Sequence, residues 1–169
     1  MTITRPGIIY GPGMANPLNG VAVHIKGGMW AVFDGGIKQV PLIHVNDCAR
    51  ALTMICDSKK CVNNIYNLVD PVSPSQKEYL AIYRRLQNKK IRVISIPSIL
   101  AKFILVSAEI ATRFLLRKRI NMVARLSRAL KKSIYNSDSL KSDTGFEASI
   151  NLEDGLGVTI ANMSEISTK

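Results

Sequence analysis

Few residues of this chain have the types and spacing that a reaction needs. A tyrosine phenol serves as a base when a lysine four residues later, on the same helix face, lowers its pKa. Tyr10, Tyr66, Tyr79, Tyr83 and Tyr135 are followed at that distance by Met14, Asp70, Tyr83, Gln87 and Ser139, and none is lysine. A dinucleotide loop needs glycines between a strand and a helix, so that backbone amides reach the pyrophosphate. Gly7, Gly11 and Gly13 lack that spacing, and Gly27-Gly28 and Gly35-Gly36 are pairs suited to turns. His44, between Ile43 and Val45, has no Ser, Cys or carboxylate motif beside it. It reads as a packed or hydrogen-bonded histidine at a strand end, not a base. His24 is equally unsupported. Asp47 beside Asn46 offers oxygen ligands without the clustering a cation requires, and reads as a helix cap. Cys48, Cys56 and Cys61 are odd in number and lack zinc-knuckle spacing, so they are expected to be reduced cysteines of a cytoplasmic protein. No catalytic residue and no metal ligand is therefore expected here.

The charge is concentrated. The chain has 169 residues, is 47% hydrophobic and 21% charged, and carries a net +11, which suits a single globular region rather than a disordered one. Residues 84–132 hold fourteen basic residues and one acid, Glu109, while the remainder is slightly acidic. Few aromatics interleave with this basic run and no nucleic-acid motif accompanies it, so nucleic acid is set aside. Residues 98–116 are apolar enough to suggest a bilayer, but Lys102, Glu109 and Arg113 fall on one helical face. That pattern favours a helix packed in a small domain first, contact with an anionic membrane surface second, and a span last. No cleavable signal peptide is expected, because a Pro/Gly-rich stretch follows the first apolar run.

The elements that would position these residues alternate. Thr2 to Tyr10 reads as a buried strand ended by Gly11-Pro12-Gly13, and Asn16 to Lys26 as a short helix or an irregular loop. Strands are expected at 30–33, 40–45, 64–69 and 91–96. The helix after the second of these should be capped by Asn46 or Asp47 and bury Ala49, Leu52, Thr53 and Cys56. Ser75 caps a helix that buries Tyr79, Leu80, Tyr83 and Leu86. Two helices follow at 98–116 and 120–132, then a short strand at Ile134-Tyr135. Ser137 caps a short helix stopped by Gly145, and Asn151 caps the last helix, with Glu153 and Asp154 in its first turn. The fold class is α/β.

Five segments, in order, resemble one family. Arg5-Pro6-Gly7-Ile8-Ile9-Tyr10-Gly11-Pro12 is similar to the Arg-Pro-x-x-x-Tyr-Gly-Pro strand of the extended short-chain dehydrogenase/reductases, which include NAD-dependent epimerases, dehydratases and 3β-hydroxysteroid dehydrogenases. Asp34-Gly35-Gly36 resembles that family's Gly-Asp-Gly turn. Ile43-His44-Val45-Asn46-Asp47-Cys48-Ala49-Arg50-Ala51 resembles its His-Val-Asp-Asp strand-to-helix segment, and Ile65-Tyr66-Asn67-Leu68 the next strand. Thr144-Gly145-Phe146 with Leu152-Glu153-Asp154-Gly155-Leu156 resembles its closing motifs.

The resemblance implies the C-terminal part of a Rossmann-type NAD(P)-binding fold with a small, mostly helical substrate-binding domain. It implies that the dinucleotide loop, the Tyr base and its Lys belong to a missing N-terminal half. NAD or NADP would serve the complete enzyme, with none bound by this chain alone. Pro6, Gly7 and Ile8 would lie against the nicotinamide, where proline's fixed φ and glycine's missing side chain let a flat ring approach. Met14, Asn16 and Val40 would face the substrate. Nucleotide-sugar members have Asn where this chain has Ile8, and often Arg where it has Val40. Neither replacement can donate to a diphosphate, which shifts the expectation toward an apolar or neutral small molecule. The alternative is a non-catalytic binding protein, associated with a membrane surface or degenerate.

Overall fold

A computed structural model of the protein describes residues 1–87, 91–116, 124, 127, 130 and 134–166. Most of the helix expected at 120–132 lies outside the described residues. The first strand is one run split in two: β1 (Ile3–Pro6) and β2 (Ile8–Tyr10). The run changes partners at Gly7. Gly7 N donates to Leu68 O at 2.9 Å, and Ile8 N donates to Pro41 O at 2.7 Å. β1 runs parallel to β6 (Ile65–Leu68), with Ile3 opposite Ile65 and Pro6 opposite Leu68. β2 runs parallel to β5 (Leu42–His44), with Ile8 opposite Leu42 and Tyr10 opposite His44. A third sheet has the order β3 (Val23–His24), β4 (Met29–Phe33), β7 (Arg92–Ile96), antiparallel and then parallel.

Parallel neighbours need crossover connections, and helices supply them. α1 (Val45–Asp57) joins β5 to β6, and α2 (Gln76–Gln87) lies between β6 and β7. After β7 every described element is a helix: α3 (Ser98–Leu116), α4 (Asp138–Thr144) and α5 (Leu152–Ile166). The result is the expected α/β architecture. Successive strand residues point to opposite faces, and β5 uses both. Leu42 joins a core with Tyr10, Val32, Tyr79, Tyr83 and Leu156, whereas Ile43 joins a second core with Ala51, Tyr66, Leu68, Leu140 and Phe146.

Local signals fixed several element ends. Ser75 and Glu78 form a reciprocal capping box: Ser75 N donates to Glu78 Oε2 at 2.7 Å, and Glu78 N to Ser75 Oγ at 3.2 Å. Tyr79, Leu80 and Tyr83 are buried as expected, and Leu86 packs half-buried against the same core. Gly145 ends α4 in the left-handed region at φ 72°, donating to Lys141 O. Asn151 Oδ1 accepts from Asp154 N at 2.9 Å.

Other expectations fail. Among the described residues β1 pairs only with β6, and Ile3 and Ile9 are 37% and 43% exposed, so the run is not buried until Tyr10. In α1 the cap is His44, whose Nδ1 accepts from Asn46 N at 3.2 Å. The buried face is Asp47, Cys48, Ala51 and Ile55, and all four residues expected there are exposed. Starting the helix directly after the strand rotates every later residue about its axis. Ile134 and Tyr135 form no strand. Ser137 precedes α4, but its side chain makes no cap bond. Residues 17–21 are turns, which is the irregular-loop reading of that stretch, and β3 follows. Cys48, Cys56 and Cys61, by contrast, are free as expected.

Candidate functional site

Open parallel sheets bind ligands beyond the carboxyl ends of their strands. β1 ends at Pro6 and β6 at Leu68, and a cleft of about 460 Å³ opens there. Arg5, Pro6, Gly7, Ile8, Pro41, Val69 and Tyr135 line it. The three expected cofactor-side residues, Pro6, Gly7 and Ile8, all line this cleft. Its volume suits a small molecule. The walls are mostly apolar, with the Arg5 guanidinium and the Tyr135 phenol as polar groups.

Gly7 has a reason the sequence did not reveal. A Cβ there would lie 2.6 Å from Pro41 O and 3.1 Å from Val69 Cγ1. The missing side chain lets the strand change partners, while the backbone of Gly7 still faces the cleft. Gly7→Ala is expected to destabilise the chain by about 1–3 kcal/mol, because the nearest atoms are backbone and cannot give way. Urea denaturation checks this, and an unchanged midpoint would show slack at the crossing.

The expected substrate-side residues do not join this cleft. Val40 is 3% exposed in the first core, and Met14 packs against that core. Asn16 spends its side-chain oxygen on Leu18 N at 2.9 Å, closing a turn. Arg5, Pro41, Val69 and Tyr135 were not anticipated. Proline directly before a strand was the available signal for Pro41. Tyr135 carries none, because a loop brings it in.

Beside the cleft a buried polar cluster holds the strand ends. Tyr10 meets His44 edge-on, with ring centroids 5.2 Å apart. Gly155 of α5 lets that helix approach both rings: a Cβ there would lie 2.8 Å from Tyr10 Cε2 and 2.9 Å from His44 Cδ2. Burial lowers the His44 pKa, with Asp47 opposing. His44 is therefore the packed, hydrogen-bonded histidine its context suggested. Asp47 is not the cap of its own helix. It accepts from Ser149 N at 3.0 Å, Ser149 Oγ at 2.8 Å, Ile150 N at 3.0 Å and Arg50 Nη2 at 2.8 Å. Burial alone would raise its pKa, but these donors outweigh burial and lower it. Asp70, next to the cleft's Val69, is the opposite case. Burial, then the charge of Asp47, pushes its carboxyl up to about 7. Asp70 Oδ1 and Tyr10 Oη are buried without a hydrogen-bond partner among the described residues. Among the described residues no group of three or more His, Cys, Asp or Glu could hold a metal ion.

No family model and no curated protein matches the sequence. Solved structures match the fold. The structure of gox2253 is 15% identical, with a TM-score of 0.76, over 97% of this chain and 49% of that one. An epimerase from Methanothermobacter thermautotrophicus is 14% identical, with a TM-score of 0.67, over 99% of this chain and 44% of its own. The UDP-glucuronic acid 4-epimerase of Bacillus cereus, in complex with UDP-glucuronic acid and NAD, is 13% identical, with a TM-score of 0.63, over 98% of this chain and 45% of its own. The chain spans less than half the length of each of these three proteins. Its fold is the Rossmann-type α/β architecture of NAD-binding epimerases.

Proposed function

We propose that this chain is the C-terminal, substrate-binding half of an NAD(P)-dependent oxidoreductase or epimerase of the extended short-chain dehydrogenase type, inactive alone. The carrying observation is the cleft at the carboxyl ends of β1 and β6, walled by Pro6, Gly7 and Ile8. Two further observations support it. Among the described residues β1 has a second edge without a strand partner, where a central Rossmann strand would have another neighbour. The chain also lacks Tyr-x-x-x-Lys and a glycine-rich pyrophosphate loop.

The cleft fits a nicotinamide ring. Pro6, Ile8, Pro41 and Val69 would offer apolar surface to a flat ring bound there. The cofactor, when bound, supplies hydride transfer. Backbone at Gly7 sets how closely the ring can lie against the strand. Ile8 gives the substrate side an apolar contact in place of a diphosphate donor, so an apolar or neutral substrate is the better match. Val40, being buried, adds nothing directly to that choice.

The isolated chain is expected to show no micromolar binding of NADH or NADPH by calorimetry. A complementing chain carrying Gly-x-x-Gly-x-x-Gly and Tyr-x-x-x-Lys is expected to restore it. Micromolar affinity in the isolated chain would refute the half-enzyme reading. Failure of every complementing chain would favour a non-catalytic binding protein.

A further inference from the structure

Among the residues that line the cleft, one carries a charge. Arg5 lies opposite Asn67 in the β1–β6 register, so their side chains share a face of the sheet. The next pair along that face is Gly7 and Val69, and a Cβ at Gly7 would lie 3.1 Å from Val69 Cγ1. The other face of β6 sends Tyr66 and Leu68 into the second core. Arg5 is therefore turned away from that core, toward the hollow that Gly7 leaves. Asn67 Nδ2 donates to Asn136 O at 3.3 Å, which holds the loop carrying Tyr135 against the same strand pair.

That charge has no counterpart nearby. No carboxylate lines the cleft. The described ion pairs join Arg50 to Asp47, Arg85 to Glu153 and Lys141 to Glu147, so Arg5 is unpaired among the described residues. A guanidinium is a planar fork of donors that matches a carboxylate bidentately. Apolar walls around it strengthen such a pair over one in open water. One arginine balances one unit of charge. A phosphate monoester carries more than that near neutrality and would leave an excess against Ile8 and Val69. We propose that the cleft binds a small carboxylate with a flat apolar body, its ring against Pro6, Ile8 and Val69 and its carboxylate on Arg5. The ligand is then apolar in body, as Ile8 favours, but not neutral. The proposal rests on reading this cleft as the binding site of the half-enzyme, while its test needs neither cofactor nor complementing chain.

Titration of the full chain with 2-naphthoate and with its neutral isostere 2-naphthamide tests it, followed by the amide resonances of Gly7 and Ile8. Both resonances should move with naphthoate, which should bind about tenfold more tightly than naphthamide, and the difference should shrink as salt rises. Arg5→Gln should remove the preference with the fold intact, because Arg5 is exposed. Arg5→Lys should keep part of it, since the charge stays and the fork is lost. Lys102→Gln makes the same charge change on α3, outside the cleft, and should leave the preference whole. Equal affinities overturn the proposal, as does naphthoate that leaves Gly7 and Ile8 unmoved or a preference that survives Arg5→Gln. Tighter binding of 2-naphthyl phosphate than of naphthoate overturns the carboxylate assignment. The half-enzyme reading fails separately: a chain that prefers naphthoate through Arg5, yet gains no NADH affinity from any complementing chain, keeps this site and loses that reading.

Discussion

Replacing Asp47 by alanine is expected to lower the unfolding free energy by about 3–5 kcal/mol. The carboxylate is 1% exposed and accepts from two backbone amides, Ser149 N and Ile150 N. Removing it leaves both amides without that acceptor. Arg50 loses less, because its side chain is 45% exposed, donates also to Glu147 O and lies over the Phe146 ring. The damage should therefore be a detached 146–150 segment with α1 still formed. Asp47→Asn keeps the shape and part of the acceptor capacity, so its loss should be smaller. The folded pKa of Asp47 lies below the unfolded one. Its contribution is present above the unfolded value and drains away as pH falls through the folded value. Urea denaturation of the three proteins at neutral and acid pH measures this. An unchanged midpoint for Asp47→Ala at neutral pH would remove the tether from the account.

The second large effect has the opposite sign. Asp70→Asn is expected to stabilise the chain at pH 8 by about 2–4 kcal/mol, and to change little near pH 4. Burial raises the carboxyl from its ordinary 3.8 to about 7, with the charge of Asp47 adding to the shift. Between those values the folded chain keeps a proton that the unfolded chain has released. Stability falls as pH rises across that window, and above it the ionised group remains a standing cost. Asparagine cannot ionise, so the fall should vanish. With Asp47 failing in acid and Asp70 failing toward neutrality, the wild-type chain should be most stable in mild acid. Parallel pH profiles for Asp70→Asn and the wild type would contradict this.

What could be read from the sequence was what is decided within a few residues. Ser75 and Glu78 are three apart and cap each other, Gly145 needs only its own φ, and the Tyr79–Tyr83 stripe follows from helical spacing. Asp47 looked like a local cap because its true partners, Ser149 and Ile150, are about a hundred residues away. His44 reads as a packed, hydrogen-bonded residue, yet its service as a cap went unseen, since histidine is not among the favoured N-cap residues. That one displacement put the wrong face of α1 in the core. The candidate cleft was half legible. Pro6, Gly7 and Ile8 lie in a recognisable motif, whereas Pro41, Val69 and Tyr135 arrive from three other segments and share no spacing with it. Isoleucines in a β-rich run imply burial only if another layer is there to cover them, and nothing local reveals whether it is.

The partner switch at Gly7 also sets a timetable. β1 must wait for β6, since Ile3 pairs with Ile65, while β2 can close on β5 once His44 has emerged. At roughly 5–20 residues per second, ribosomal synthesis separates Ile3 from its partner by on the order of 3–12 s. Helices α1 and α2 need only their own residues, so α1 can be complete while β1 is still unpaired. Such distant pairings slow folding, because loop closure precedes the contacts that reward it. During that interval chaperone capture and misassociation compete for the same strand, so the yield of folded protein should fall as translation is slowed and the interval lengthens.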